Sequence, residues 1–250
     1  MIPWTRDWTS VERTRQANAR LGVTLAFVAG AANAGGFLAV GQYTSHMTGV
    51  VSSLADNIVL GNGVLVAAAL GALIAFMAGA ATTAWIVNWS LRRHLRSAYS
   101  LPLLLEALSL LVFGLFGAAI SGFPYLMAPL TVLLLCFIMG LQNAVITKIS
   151  HAEIRTTHVT GIVTDLGIEI GKMLYVNRAR ELSPVRADLN RLRLHLALVT
   201  GFFLGGLSGA LGFKQLGYVT TVPLALLLLV LTLRPLFEDA RAWARLRLNA

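Results

Sequence analysis

The chain is 250 residues long, 56% hydrophobic and only 12% charged, about half the charged share of an ordinary soluble domain, which runs near 25%. Its net charge of +9 could suggest a nucleic-acid binder, but the basic residues sit in short segments beside long apolar runs, as in the cytoplasmic loops of membrane proteins, so nucleic acid is excluded as a partner. The single cysteine, Cys136, allows no internal disulfide and is read as a packing residue; no Cys/His set has structural-zinc spacing.

Residues 1–20 read as a cytoplasmic or interfacial segment: Thr9-Ser10-Val11-Glu12 looks like a helix start with a capping box, and Arg6, Arg13, Arg15 and Arg20 supply positive charge. The first apolar run, 21–40, could be mistaken for a secretory leader, because Ala32-Asn33-Ala34 mimics a cleavage site. The run continues past that point and is expected to be retained as a span. Further runs lie at 64–87, 103–120, 126–146, 194–211 and 219–233, each with at most one ionisable residue. Runs approaching about 18 residues read as transmembrane helices. The last run is shorter and is expected to stop at Arg234-Pro235. Residues 235–250 form a basic amphipathic tail, with Leu236, Phe237 and Trp243 suited to the membrane surface.

Positive charge collects at the N-terminus, at Arg92-Arg93-His94-Leu95-Arg96, between Arg178 and Arg193, and after Arg234. The positive-inside rule places all of these in the cytoplasm, so an even number of crossings must separate them. This holds only if the segments 46–60 and 160–176 are broken or re-entrant. The expectation is an all-α integral membrane protein with six full spans, two broken or re-entrant segments, and both termini cytoplasmic. Residues 21–234 form one membrane domain, with repeats at about 21–120 and 126–234.

The repeats are read from motifs. Thr44-Ser45-His46-Met47-Thr48-Gly49-Val50-Val51 returns as Thr156-Thr157-His158-Val159-Thr160-Gly161-Ile162-Val163. Gly30-Ala31-Ala32-Asn33-Ala34 parallels Gly140-Leu141-Gln142-Asn143-Ala144, Ser100-Leu101-Pro102-Leu103 parallels Thr221-Val222-Pro223-Leu224, and the ladder Gly71, Ala75, Gly79 parallels Gly201, Gly205, Gly209. Under the inferred topology the two halves point oppositely, which makes an inverted repeat about an axis in the membrane plane. Small-residue ladders let helices pack closely in lipid, where no hydrophobic force drives association. They are placed between the halves, with packing inside one half or at a homodimer interface as the alternatives.

A helix broken at depth survives only when buried in protein or lining a wet cavity. Thr48-Gly49 and Thr160-Gly161 suit such a break: glycine allows unusual backbone angles, and the neighbouring hydroxyls can cap the new helix end. The positive end of the half-helix then favours an anion or carbonyl group. His46 and His158 are candidate proton carriers or ligand donors, histidine being the side chain that titrates near neutral pH; the alternative is a cap or interhelical hydrogen bond. Asn33, Gln142 and Asn143 either line the same cavity or bond between helices. Asp165, Glu169 and Lys172 share one helix face. Charge costs ~2.5–3.5 kcal/mol at a span's centre, so Asp165 and Glu169 are candidates for proton coupling, with a Glu169–Lys172 pair at the interface as the alternative for the second. Glu106 is expected to pair with the Arg92–Arg96 cluster. The chain carries no P-loop, no dinucleotide fingerprint, no His-x-x-x-His metal pair and no argued nucleophile set, so no enzyme, cofactor or metal is expected.

Asn33-Ala34-Gly35-Gly36-Phe37-Leu38 with His46-Met47-Thr48-Gly49, and Gly140 to Ala144 with Arg155 to Gly167, resemble the two signatures of the YoaK-like proteins, a family of bacterial multi-pass membrane proteins carrying a domain of unknown function. The likeness covers most of the chain from Arg20 to Leu233 and departs at Val50, where the family more often has asparagine. It implies a bacterial inner-membrane location and no particular activity. The residues themselves suggest a small secondary transporter of a polar or anionic solute, with His46, Thr48, Gly49, His158, Thr160, Gly161, Asn33 and Asn143 binding the solute and Asp165 or Glu169 handling a proton. A channel and a non-transporting scaffold are the alternatives.

Overall fold

The computed structural model describes residues 14–120, 124–178 and 183–248. Thr9-Ser10-Val11-Glu12 lies outside them. Among the described residues there are eight α-helices: α1 (Arg15–Val40), α2 (Met47–Val59), α3 (Gly63–Arg92), α4 (Ser100–Ile120), α5 (Pro124–Ile149), α6 (Val159–Leu174), α7 (Leu189–Leu216) and α8 (Thr221–Leu248). A short 3-10 turn, Gly217–Thr220, joins the last two. α1 starts behind Thr14, whose hydroxyl accepts the Ala17 N–H at 3.1 Å. It ends at Gly41, whose left-handed backbone (φ 73°) turns its N–H back onto the Phe37 carbonyl.

Among the described residues four helical stretches are long and apolar enough to cross a bilayer: Arg15–Val40, Gly63–Arg92, Ala128–Ile149 and Leu189–Arg245, the last containing α7 and most of α8. Ser100–Leu115 is a shorter apolar helix. α2 and α6 have 13 and 16 residues, so they reach only ~20 and ~24 Å, less than the roughly 30 Å hydrocarbon core.

α1 and α5 form the centre: 56% of the most apolar stretch of each is buried, against 17% for α3. α7 packs on α1, and α3 packs on α5. The direction of each pairing follows from which residues meet. Gly22 lies beside Leu198, Gly205 beside Phe27 and Gly35 beside Phe213, so α1 and α7 run parallel. Gly71 lies beside Leu133, Gly79 beside Phe137, and Lys148 donates to Asn88 at 3.1 Å, so α3 and α5 also run parallel. Gln142 donates to the Leu25 carbonyl while Gly36 lies beside Leu135, so α1 and α5 are antiparallel. α4 and α8 are antiparallel as well, with Gly114 beside Thr221 at one end and the Ser97 N–H on the Asp239 carboxylate (2.8 Å) at the other.

The two parallel crossings are built from one four-residue pattern used four times: Phe27-x-x-Gly30, Phe76-x-x-Gly79, Phe137-x-x-Gly140 and Phe202-x-x-Gly205. At each glycine a Cβ would fall on the partner's phenylalanine carbonyl: 2.0 Å from Phe202 O at Gly30, 2.0 Å from Phe27 O at Gly205, 2.1 Å from Phe137 O at Gly79, and 2.0 Å from Phe76 O at Gly140. Backbone touches backbone at all four, the close approach that substitutes for hydrophobic association in lipid. Both crossings join one half of the sequence to the other. The register differs from the one read from the ladders: Gly79 corresponds to Gly205, one turn away from the expected match with Gly209, because the flanking phenylalanine carbonyl fixes the crossing point.

One expectation near the charged end is corrected. Glu106 does not reach the Arg92–Arg96 cluster. It shares a fully buried face of α4 with Leu103, Ala107 and Leu110, and neither carboxyl oxygen has a hydrogen-bond partner among the described residues. Arg96 bonds Glu238 instead, at 3.1 Å. The expected apolar run and the basic amphipathic tail that follows it form one helix: α8 runs through Pro235 to Leu248. The Arg234–Glu238 ion pair (2.9 Å) spans the proline, and Asp239 accepts the Arg96 and Ser97 N–H groups, so the turn is held from both sides.

Candidate functional site

Each motif lies where the chain folds back on the helix it has just left. In the first half Asn33, seven residues before the end of α1, accepts both the Ser45 hydroxyl (3.0 Å) and the Ser45 N–H (3.3 Å). In the second half the Thr157 hydroxyl donates to Asn143 of α5 at 2.8 Å. The chain therefore re-enters by roughly 10 Å, given 1.5 Å rise per helical residue, before α2 and α6 begin. Thr44 and Thr156, also equivalent, are buried with hydroxyls that have no partner among the described residues.

His46 and His158 are the N-cap residues of α2 and α6, and neither side chain caps its own helix. The break thus precedes the motif glycines, which sit inside the first helical turn. Their use is steric: a Cβ at Gly49 would lie 2.5 Å from His46 Cδ2, and one at Gly161 2.5 Å from His158 Nδ1. Each imidazole lies folded over a bare glycine Cα. The expected hydroxyl caps are absent at both ends because Ser45 and Thr157 are bound to the asparagines. Among the described residues the first N–H groups of α2 and α6 have no side-chain partner.

One cavity of about 600 Å³ takes its walls from both motifs. Apart from Thr147, Tyr43 and Arg155, its lining is a set of equivalent pairs: Asn33 with Asn143, Ser45 with Thr157, His46 with His158, Met47 with Val159, Thr48 with Thr160, and Phe76 with Phe202. The two phenylalanines are those whose carbonyls meet the crossing glycines, so the cavity sits at the two crossings. Tyr43 and Arg155 occupy equivalent positions and break the symmetry. Arg155 makes no ion pair or hydrogen bond among the described residues, and no carboxylate lines the cavity.

A second cavity, of about 640 Å³, adjoins the first, and Arg155 and His158 line both. Asp165 lies in the second, bonded to Arg191 at 3.2 Å and 3.8 Å from Nε2 of the buried His195. Glu169 lines neither. It is buried, paired with Lys172 at 2.8 Å, and accepts the Asp188 N–H at 2.8 Å, which ties α6 to the start of α7. Of the residues predicted from sequence, His46, Thr48, His158, Thr160, Asn33 and Asn143 therefore converge on one cavity. Gly161 lines the adjoining one, Gly49 supports His46 from behind, and Gln142 is turned to the Leu25 carbonyl. Sequence reasoning missed Arg155, Arg191 and His195. Arg155 stands immediately before the second motif, and alignment of the two motif copies sets it opposite Tyr43.

Apolar helices of this length, paired across lipid-style glycine crossings around a polar hollow, define a helical membrane protein. The model of the family described as Protein of unknown function (DUF1275) matches residues 21–234, and the chain belongs to that family. No curated protein and no solved structure matches the chain. The resemblance drawn from the motifs agrees at this level, that of a family without an established function.

Proposed function

We propose that the chain is a small secondary transporter of a small anionic solute, with the cavity shared by the two motifs as its binding site. The observation that carries this reading is the lining itself: two histidines, the hydroxyls of Ser45, Thr48, Thr147, Thr157 and Thr160, the unpaired Arg155 and, among the described residues, no carboxylate, at the positive ends of two short helices. The parallel α1/α7 and α3/α5 pairs and the antiparallel α1/α5 and α4/α8 pairs support six spans in an inverted repeat, with α2 and α6 returning to the side they came from. The basic clusters support cytoplasmic termini, and the motif resemblance supports a bacterial inner membrane. Arg155 and His158, common to both cavities, would hand the solute from one to the other, while Asp165, Arg191 and His195 would exchange partners and a proton.

The test is flux in proteoliposomes loaded with a pH dye and offered a panel of small carboxylates and oxyanions. Saturable uptake lost in Arg155→Gln and in the double variant His46→Ala/His158→Ala supports the reading, whereas uptake unchanged in both variants overturns it. Non-saturating flux far above transporter turnover would identify a channel. One observation favours a non-transporting scaffold: Asn33 and Asn143 are engaged in holding the re-entrant turns. In that case the same variants lower thermal stability and no anion protects the wild type.

A further inference from the structure

We propose that the groove between the N-terminal ends of α1 and α7 binds the headgroup of an anionic phospholipid. Because these helices run parallel, their first turns lie side by side and their apolar runs begin within about one helical turn of each other, after Arg20 on α1 and after Arg193 on α7. The groove, about 760 Å³, has Arg15, Arg20 and Arg193 among its walls and, among the described residues, no carboxylate. Glu153, which pairs with Arg15, lies outside it. Arg193 makes no ion pair or hydrogen bond among the described residues.

Below the guanidinium groups the walls turn apolar, with Val23, Leu194 and Ala197. A charged rim over an apolar floor, at the depth where two membrane helices change from polar to apolar, fits an amphiphile: phosphate on the arginines, acyl chain along Val23 and Ala197. A free phosphate would leave that floor empty. Basic pockets between helices at the cytoplasmic face are known to hold anionic headgroups, and a guanidinium grips phosphate through a planar fork. The inference uses no feature of the motif cavity and stands whether or not the protein transports anything.

The full chain in nanodiscs of zwitterionic lipid would be titrated with phosphatidylglycerol and, separately, with phosphatidylcholine and inorganic phosphate, with bound lipid counted by native mass spectrometry. The expected result is retention of phosphatidylglycerol over phosphatidylcholine, a preference that falls roughly tenfold or more in Arg20→Gln/Arg193→Gln. It should be unaltered in Arg92→Gln/Arg93→Gln, which removes the same charge at the end of α3. Ala197→Trp, which fills the floor and keeps the arginines, should also lower retention. An unchanged preference in the first double variant, an equal loss in the second, or displacement of the lipid by millimolar inorganic phosphate would each overturn the proposal.

Discussion

The two asparagines show how much one side chain does in this chain. Asn33 and Asn143 occupy equivalent positions, and each holds the turn that brings a histidine motif back into the molecule. Removing one partner of a buried hydrogen bond leaves the other unsatisfied, at about 1–3 kcal/mol, and a half-buried bond such as Asn143–Thr157 belongs at the low end of that range. Asn143→Ala and Thr157→Ala should therefore each destabilise, and the double variant should cost clearly less than their sum. Thermal unfolding of the four proteins in detergent checks this; additive losses would mean the bond contributes nothing. The motif glycines make a different prediction. Glycine to alanine inside a helix gains up to about 1 kcal/mol of intrinsic propensity, yet a Cβ at Gly161 must displace the His158 imidazole. Gly161→Ala should keep or raise stability while abolishing anion protection against unfolding. The motifs and their pairing were legible because the same residues recur in the same order. Arg155 was not, because its partner in the other half is a tyrosine, and a search for repeated chemistry passes over a position where the halves differ.

At the scale of helices, the glycine crossings decide how the halves meet. Gly30→Ala, Gly79→Ala, Gly140→Ala and Gly205→Ala each force two backbones apart and should cost roughly 1–3 kcal/mol, the range for overpacking. Gly167→Ala and Gly171→Ala, where a Cβ meets nothing within 4 Å, are the controls and should be neutral or stabilising. Equal melting temperatures across both groups would contradict the crossing. The small-residue ladders signalled close packing from the sequence, but spacing alone could not fix their register; that lies in the phenylalanine carbonyl, which no side-chain pattern reports. Helix ends were least legible where tertiary contacts overrode local signals, as at Pro235. There Glu238, hydrogen-bonded by Arg234 and then by Arg96, is held below the usual carboxylate value of 4.5. A lowered carboxylate stabilises the fold above its ordinary titration range and loses that contribution as pH falls through the depressed value. Hydrogen exchange in the tail of α8 should accordingly accelerate as pH falls below the ordinary glutamate range, and Glu238→Gln should show the fast exchange already at pH 7. A variant indistinguishable from wild type at pH 7 would show that the clip does not hold the tail.

For the molecule as a whole, composition and run length were enough to read a helical membrane protein, and charge placement was enough to propose which ends share a side. What sequence could not supply was depth: how far the chain returns after α1 and α5 depends on which hydroxyl meets which asparagine. Single cysteines at His94 and Ser183, in a Cys136→Ser background, should react with an impermeant thiol reagent only from the cytoplasmic side, and those at Asn62 and Gln215 only from the opposite side. The proposed binding site requires that the two motifs share one hollow between antiparallel halves. Cross-linking of Thr48→Cys to Thr160→Cys with a short bifunctional thiol reagent, in the same cysteine-free background, tests this most directly. The expected result is a rapid intramolecular cross-link that a bound anion slows. No cross-link, under conditions where a cysteine pair across the α1/α7 crossing links readily, would contradict it.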